Sequence, residues 1–169
     1  EPGIDELKIT GTGNLKETRL NCGESGLAIR MFSPIAALFP AEIIMTGAGS
    51  LKTRPMSMIE EALKQFGVSC KTTDGKLPIT INGPLKGGRC EIDGSISSQL
   101  LTGLLMALPV AGKDSEITVR ELKSKPYVDM TIQVLNKFGI KVQNTGHEVF
   151  RIKGNQKYVP CRFVVESDW

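Results

Sequence analysis

Phe66-Gly67-Val68 and Phe138-Gly139-Ile140 close two helical stripes roughly seventy residues apart, and this internal repeat limits the possible folds more than any other feature. In the first stripe Ile59, Ala62, Leu63 and Phe66 fall at i, i+3, i+4 and i+7; Val128, Ile132, Leu135 and Phe138 make a similar one. Such spacing gathers apolar side chains on one helix face, and glycine just past the last turn is the usual stop. Each stripe leads into a short strand, a turn at Asp74-Gly75 or Asn144-Thr145-Gly146, and a second strand ending in glycine. Leu77 to Gly83 and Val149 to Gly154 are those second strands, and Leu7-Lys8-Ile9-Thr10-Gly11 has the same form.

Ahead of each stripe a polar turn runs into an apolar helix and then a strand. Gly23 to Gly26 leads into Leu27 to Leu38 and Glu42 to Thr46; Gly94 to Gln99 leads into Leu100 to Val110 and Glu116 to Val119. The spacing therefore predicts an α/β (α+β) chain of repeated βαβαββ units: the tail of an earlier copy in 1–15, a second unit in 16–85 and a third in 86–160. The first helix of each unit is apolar on more than one face, which places it inside with the sheets outside. Parallel central helices would send their N-termini to one face, each favouring an anion by roughly 0.3–1 kcal/mol.

Two helix starts carry more polar groups than a cap requires. Asp93-Gly94-Ser95-Ile96-Ser97-Ser98-Gln99 sets hydroxyls beside the unpaired N–H groups that open a helix, a ready anion site. Ser124-Lys125-Pro126-Tyr127 precedes a helix expected from near Val128. Ordinary capping explains either cluster taken alone.

Composition excludes several classes. A net charge of +3, spread along 169 residues, forms no basic stripe for nucleic acid. Cys22, Cys70, Cys90 and Cys161 form no C-x-x-C pair, and the single His147 offers no metal-ligand spacing, so neither a metal nor a cofactor is expected and a reducing cytoplasm fits. No apolar run suits a membrane span. The start at Glu1-Pro2-Gly3 and the strand-like run Phe163 to Val165, leading into Glu166-Ser167-Asp168-Trp169, read as part of something longer.

Gly23-Glu24-Ser25-Gly26 with Arg30, Lys52-Thr53-Arg54-Pro55, Asp93 to Gln99, Ser124 to Tyr127 and Val165-Glu166-Ser167-Asp168, in this order along nearly the whole chain, resemble 5-enolpyruvylshikimate-3-phosphate synthases, also called 3-phosphoshikimate 1-carboxyvinyltransferases. The resemblance implies one lobe of a two-lobed, inverse α/β barrel-like enolpyruvyl transferase, each lobe holding three βαβαββ units, with 161–169 starting the hinge to an absent second domain. It implies transfer of the carboxyvinyl group of phosphoenolpyruvate to the 5-hydroxyl of 3-phosphoshikimate, by a monomer acting in the cytoplasm. Two polyanionic substrates call for fixed cations and oriented donors in a water-poor cleft.

By the resemblance, Ser97, Ser98, Gln99, Ser124 and Tyr127 bind 3-phosphoshikimate, and Gly26, Arg54 and Gln99 bind phosphoenolpyruvate. The family's catalytic carboxylates lie in segments this chain lacks, so no catalytic residue is assigned and the isolated chain is expected to be inactive. On the residues alone, Arg54 is equally a solvated loop cation, Tyr127 a packed aromatic, Gly26 the relief of a tight turn and Arg30 half of a structural ion pair. Glu24 stands where the family commonly has asparagine; its carboxylate would oppose an incoming anion unless it pairs with a cation such as Arg30 or turns away.

Two rivals remain. A UDP-N-acetylglucosamine enolpyruvyl transferase lobe would share the units, but that family usually carries a reactive cysteine before the corresponding arginine, and Gly47 to Thr53 contains none. A non-catalytic anion-binding repeat domain would end in a complete, capped unit.

Overall fold

The computed structural model describes residues 8–11 and 14–165. β1 (Arg19–Asn21), α1 (Gly26–Ala36), β2 (Glu42–Thr46), α2 (Ser57–Gln65), β3 (Ser69–Thr73) and β4 (Lys76–Asn82) are followed by β5 (Arg89–Asp93), α3 (Ser98–Ala107), β6 (Ser115–Arg120), α4 (Lys125–Lys137), β7 (Val142–Thr145) and β8 (Val149–Ile152). Short 3-10 turns occupy Gly49–Thr53 and Leu108–Val110. The two sheets have the same strand order, β1-β2-β4-β3 and β5-β6-β8-β7. In each the first two strands are parallel and the later pairs antiparallel, so the βαβαββ unit occurs twice.

Strand alternation explains how each sheet faces inward. Ile43, Met45, Ile79 and Ile81 are fully buried on the first sheet, and Ile117, Phe150 and Ile152 are buried on the second. Between the sheets α1 and α3 run parallel: Arg30 meets Gln99 near their starts, Gly103 lies against the Met31 backbone, and Ile35 and Met106 share an apolar groove at their far ends. Their N-termini therefore point the same way. α3 is buried from Leu100 through Leu105, whereas on α1 Leu27 and Phe32 are each about half exposed.

Several boundaries differ from the sequence reading. α1 begins at Gly26 and ends at Ala36, short of Leu38, while Leu100 to Val110 is a helix from Ser98 to Ala107 that tightens into a 3-10 turn over Pro109. α4 starts at Lys125, ahead of Val128, because Pro126 suits a first helical turn. Asn144 and Thr145 stay in β7, paired with Phe150 and Val149. Gly146 and His147, both at positive φ, make the turn instead. Lys8–Gly11 and Phe163–Val165 form no strand; the Phe163 ring lies 6.0 Å from that of Phe138. Leu7 and 166–169 lie outside the described residues.

The cysteines give a direct check of this burial. Burial pushes the Cys70 and Cys90 thiols up to about 12, and raises Cys22 above the ordinary thiol range, while Cys161 is exposed. Since the thiolate is the reactive form, titration with a chromogenic disulfide at pH 8 should modify Cys161 first and Cys22 slowly. Cys70 and Cys90 should react only after denaturant is added.

Glu60 predicts an acid dependence. Lys64 at 2.6 Å, with the hydroxyl and N–H of Thr72, holds the Glu60 carboxyl down at about 2. A depressed folded pKa stabilises above the unfolded value, near 4.3, and that contribution disappears as pH falls toward 2. Glu60→Gln should cost about 1 kcal/mol at pH 7, discounted because Lys64 is half in solvent. Urea midpoints of the two proteins should converge as pH is lowered from about 5 to 2.

Candidate functional site

Each unit opens its first helix and its second helix from the same sheet edge. In the second unit Ala48 N–H donates to the Gly23 carbonyl at 2.7 Å, placing the turn after β1 beside the turn after β2. In the third, Gly94 N–H donates to the Arg120 carbonyl at 2.7 Å and Lys123 N–H to the Gly94 carbonyl at 3.3 Å. These are the C-terminal edges of the parallel strands, where open α/β sheets place ligands.

Gly26 is the first residue of α1, capped by Ser25, whose hydroxyl accepts from Ala28 N–H at 3.1 Å. A methyl group on Gly26 would sit 2.8 Å from Arg54 Nη1 and 3.2 Å from Arg30 Nη1, so glycine leaves room for two guanidinium groups at its α-carbon. Neither arginine makes an ion pair among the described residues. Burial, and then the nearby charge of Arg54, lowers the affinity of Arg30 for its proton, and its buried Nε has no hydrogen-bond partner. Two like charges without a counter-ion create an attractive field for an anion.

Arg30 Nη1 also donates to Gln99 Oε1 at 3.1 Å, joining the second unit to the third. Gln99 sits in the first turn of α3, behind Ser98 at the first position and Ser97 at the cap, where the Ser97 hydroxyl accepts from Gln99 N–H at 3.2 Å. Asp93 Oδ1 accepts from Ser95 N–H at 2.8 Å; the hydrogen bonds from Ser95 hold this carboxyl below its usual range, so it shapes the turn rather than facing the helix start. On α4 the Ser124 residue is left-handed (φ 59°) and its hydroxyl caps nothing. Thr131 donates to the Tyr127 carbonyl at 2.8 Å and shares a 3.2 Å hydrogen bond with Thr102 of α3.

The sequence model of the EPSP synthase (3-phosphoshikimate 1-carboxyvinyltransferase) family matches residues 4–169. The chain belongs to this family. A 3-phosphoshikimate 1-carboxyvinyltransferase from Clostridium kluyveri is 43% identical over all of this chain and 40% of its own length; one from Actinobacillus pleuropneumoniae is 44% identical over 86% of this chain and 36% of its own. An EPSP synthase structure from Acinetobacter baumannii aligns with a TM-score of 0.73 at 30% identity, covering 84% of this chain and 32% of that one. The chain thus spans about two fifths of the curated relatives it matches, and has the inverse α/β barrel-like fold of EPSP synthases. These names favour the phosphoshikimate transferases over both rivals.

Against the EPSP synthase pattern, Gly26, Arg54 and Gln99 converge as neighbours, with Arg30 among them. Among the described residues Arg30 is not half of a structural ion pair, and Tyr127 is not a packed aromatic, being 64% exposed. The Glu24 carboxylate lies against Gly49, where a side chain would collide with it, and among the described residues it pairs with no cation. No direct hydrogen bond joins Ser97 or Ser98 to Ser124 or Tyr127; the two helix starts are linked through Gly94 and Lys123. A wider groove of about 700 Å³ lies elsewhere, on the second sheet, where Arg151 and Lys153 are already paired with Glu116 and Asp114. Sequence reasoning left Arg30 undecided, although its spacing of four from Gly26 puts both on one helix face. Among the described residues no helix is long and apolar enough to cross a membrane.

Proposed function

We propose that this chain is part of an enolpyruvyl transferase lobe that binds phosphoenolpyruvate at Gly26, Arg54 and Gln99 and 3-phosphoshikimate at Ser97, Ser98, Gln99, Ser124 and Tyr127. The complete enzyme moves the carboxyvinyl group to the 5-hydroxyl, acting as a cytoplasmic monomer. The observation that carries the reading is the pair of unneutralised guanidinium groups at the α-carbon of Gly26, one of them hydrogen-bonded to Gln99 beside the Ser97-Ser98 helix start. Paired forks suit a small dianion with carboxylate and phosphate groups, and hydroxyls at a helix start suit a sugar-like phosphate. Arg30 is the second cation of that pair.

The lobe is proposed to contain a further unit before 16–85, with 1–15 as its tail and 161–169 starting the hinge. Phe32 supports this: it is 48% exposed, while Leu104, its counterpart in the repeat, is fully buried beside α1. A preceding helix would cover Phe32.

The test is steady-state kinetics on the complete enzyme. Ser98→Ala should raise KM for 3-phosphoshikimate, and Arg54→Ala should raise KM for phosphoenolpyruvate, each by about 10-fold or more, the loss of one charge-assisted hydrogen bond. Small, equal effects on both substrates would reject the assignments. The 169-residue chain alone should release no phosphate from the two substrates.

A further inference from the structure

The tip of each β-hairpin braces the start of the second helix in its unit, and the two units do it with different chemistry. In the second unit the Gly75 carbonyl accepts from Met56 N–H at 2.7 Å, two residues past Arg54. The brace is backbone to backbone. In the third unit the tip is Gly146-His147, and His147 Nε2 lies 2.7 Å from Asp129 Oδ1 on α4, two residues past Tyr127.

The choice of residue at this tip is informative. Gly146 and His147 have φ of 63° and 61°, the turn that ordinarily takes Asn or Gly. Histidine, like asparagine, tolerates this backbone, and its imidazole reaches α4. The tip itself is anchored, since the Glu148 carbonyl accepts from Val119 N–H at 2.7 Å and Asn144 Oδ1 accepts from His147 N–H at 2.9 Å.

The start of α4 needs outside support. The Ser124 hydroxyl caps nothing, the first turn has no acidic residue, and Lys125 at the first position opposes the helix dipole. The Thr131–Thr102 contact fixes α4 against α3 one turn after Tyr127. Among the described residues, His147–Asp129 is the side-chain hydrogen bond that ties its opening turns to the sheet edge.

We propose that His147, acting through Asp129, is a positioning residue that holds Ser124 and Tyr127 in place for the phosphorylated sugar-like substrate. The inference rests on the substrate assignment above.

The test uses three variants of the complete enzyme, with both substrates. His147→Asn keeps a side chain suited to positive φ but is too short to reach Asp129 as Nε2 does; His147→Gln can reach it. His147→Asn should raise KM for 3-phosphoshikimate about 3–10-fold, leaving kcat and KM for phosphoenolpyruvate within twofold, and His147→Gln should recover most of the loss. Asp129→Asn, at a half-exposed position, should shift the same KM in the same direction. A lower melting temperature with both KM values unchanged, or equal rises in both, would overturn the proposal. Ser124→Ala is measured alongside: if it leaves KM for 3-phosphoshikimate unchanged, the substrate assignment fails and the inference with it. If Ser124→Ala raises that KM and neither His147→Asn nor Asp129→Asn does, the inference alone fails.

Discussion

Replacing Gly103 by alanine will destabilise this chain by about 2–3 kcal/mol, although helix propensity favours alanine over glycine by up to about 1 kcal/mol. The two arguments predict opposite signs, and contact decides. A methyl group on Gly103 would sit 2.5 Å from the Met31 carbonyl oxygen and 2.9 Å from the Met31 α-carbon, both backbone atoms of the neighbouring helix. Backbone cannot swing aside as a side chain can, so α1 and α3 must separate along their length, loosening Leu101, Leu104 and Leu105, all fully buried. At roughly 2–4 °C per kcal/mol for a chain of this size, the melting temperature should fall by about 4–12 °C. Gly112→Ala is the control, because nothing lies within 4 Å of its would-be methyl, and its effect should stay within about 0.5 kcal/mol. A neutral or stabilising Gly103→Ala would mean that the helices do not approach as closely as described, and with them the convergence of their N-termini would be in doubt.

The parts of the fold that local chemistry dictates are legible in the sequence. Gly67 and Gly139 end their helices at φ of 76° and 81°, as a stop read from Phe-Gly requires, and the repeat reappears as two sheets of identical order. The strand Glu42–Thr46 matches its pattern because alternation and burial agree. Boundaries drifted where several residues suit the same job. Asn144 and Gly146 both favour turns, and only pairing across to Phe150 decides between them. α3 opens two residues before its apolar run because Ser98 and Gln99 are helical yet polar, so hydrophobic periodicity does not register them.

The candidate site was less legible, for a physical reason. Which residues are polar at a helix start is local information; which cation reaches which helix is not. The hydrogen bond from Arg30 to Gln99 spans 69 residues, and the approach of Arg54 to Gly26 depends on how two turns pair at a sheet edge. Ser124 looked like an ordinary cap, but its left-handed backbone points the hydroxyl away from that task, a conformation no spacing rule displays. Resemblance, rather than periodicity, singled out Arg54 and Tyr127, and the geometry then supplied reasons for the residues around them.

Gly26→Ala tests that geometry in the complete enzyme, and it should behave unlike Gly103→Ala even though both add one methyl group to a helix. The new methyl would meet Arg54 Nη1 at 2.8 Å and Arg30 Nη1 at 3.2 Å, the far ends of flexible side chains. They can retreat at little cost, so the melting temperature should change by no more than about 2 °C, within the range of ordinary surface substitutions. Their retreat, however, moves both cations off the proposed anion position. With the guanidinium forks displaced, phosphoenolpyruvate loses the equivalent of one or more charge-assisted hydrogen bonds, about 1.5–3 kcal/mol, or roughly 10–100-fold in KM. KM for 3-phosphoshikimate should rise less than threefold, because Ser97, Ser98, Ser124 and Tyr127 are untouched and only Gln99, shared by both substrates, loses its Arg30 partner. Arg54→Ala in the same background should add little, since the two changes act on one contact and their effects should not sum. Full additivity would show that Gly26 and Arg54 act on separate groups, and an unchanged phosphoenolpyruvate KM would show that the paired arginines do not face that substrate.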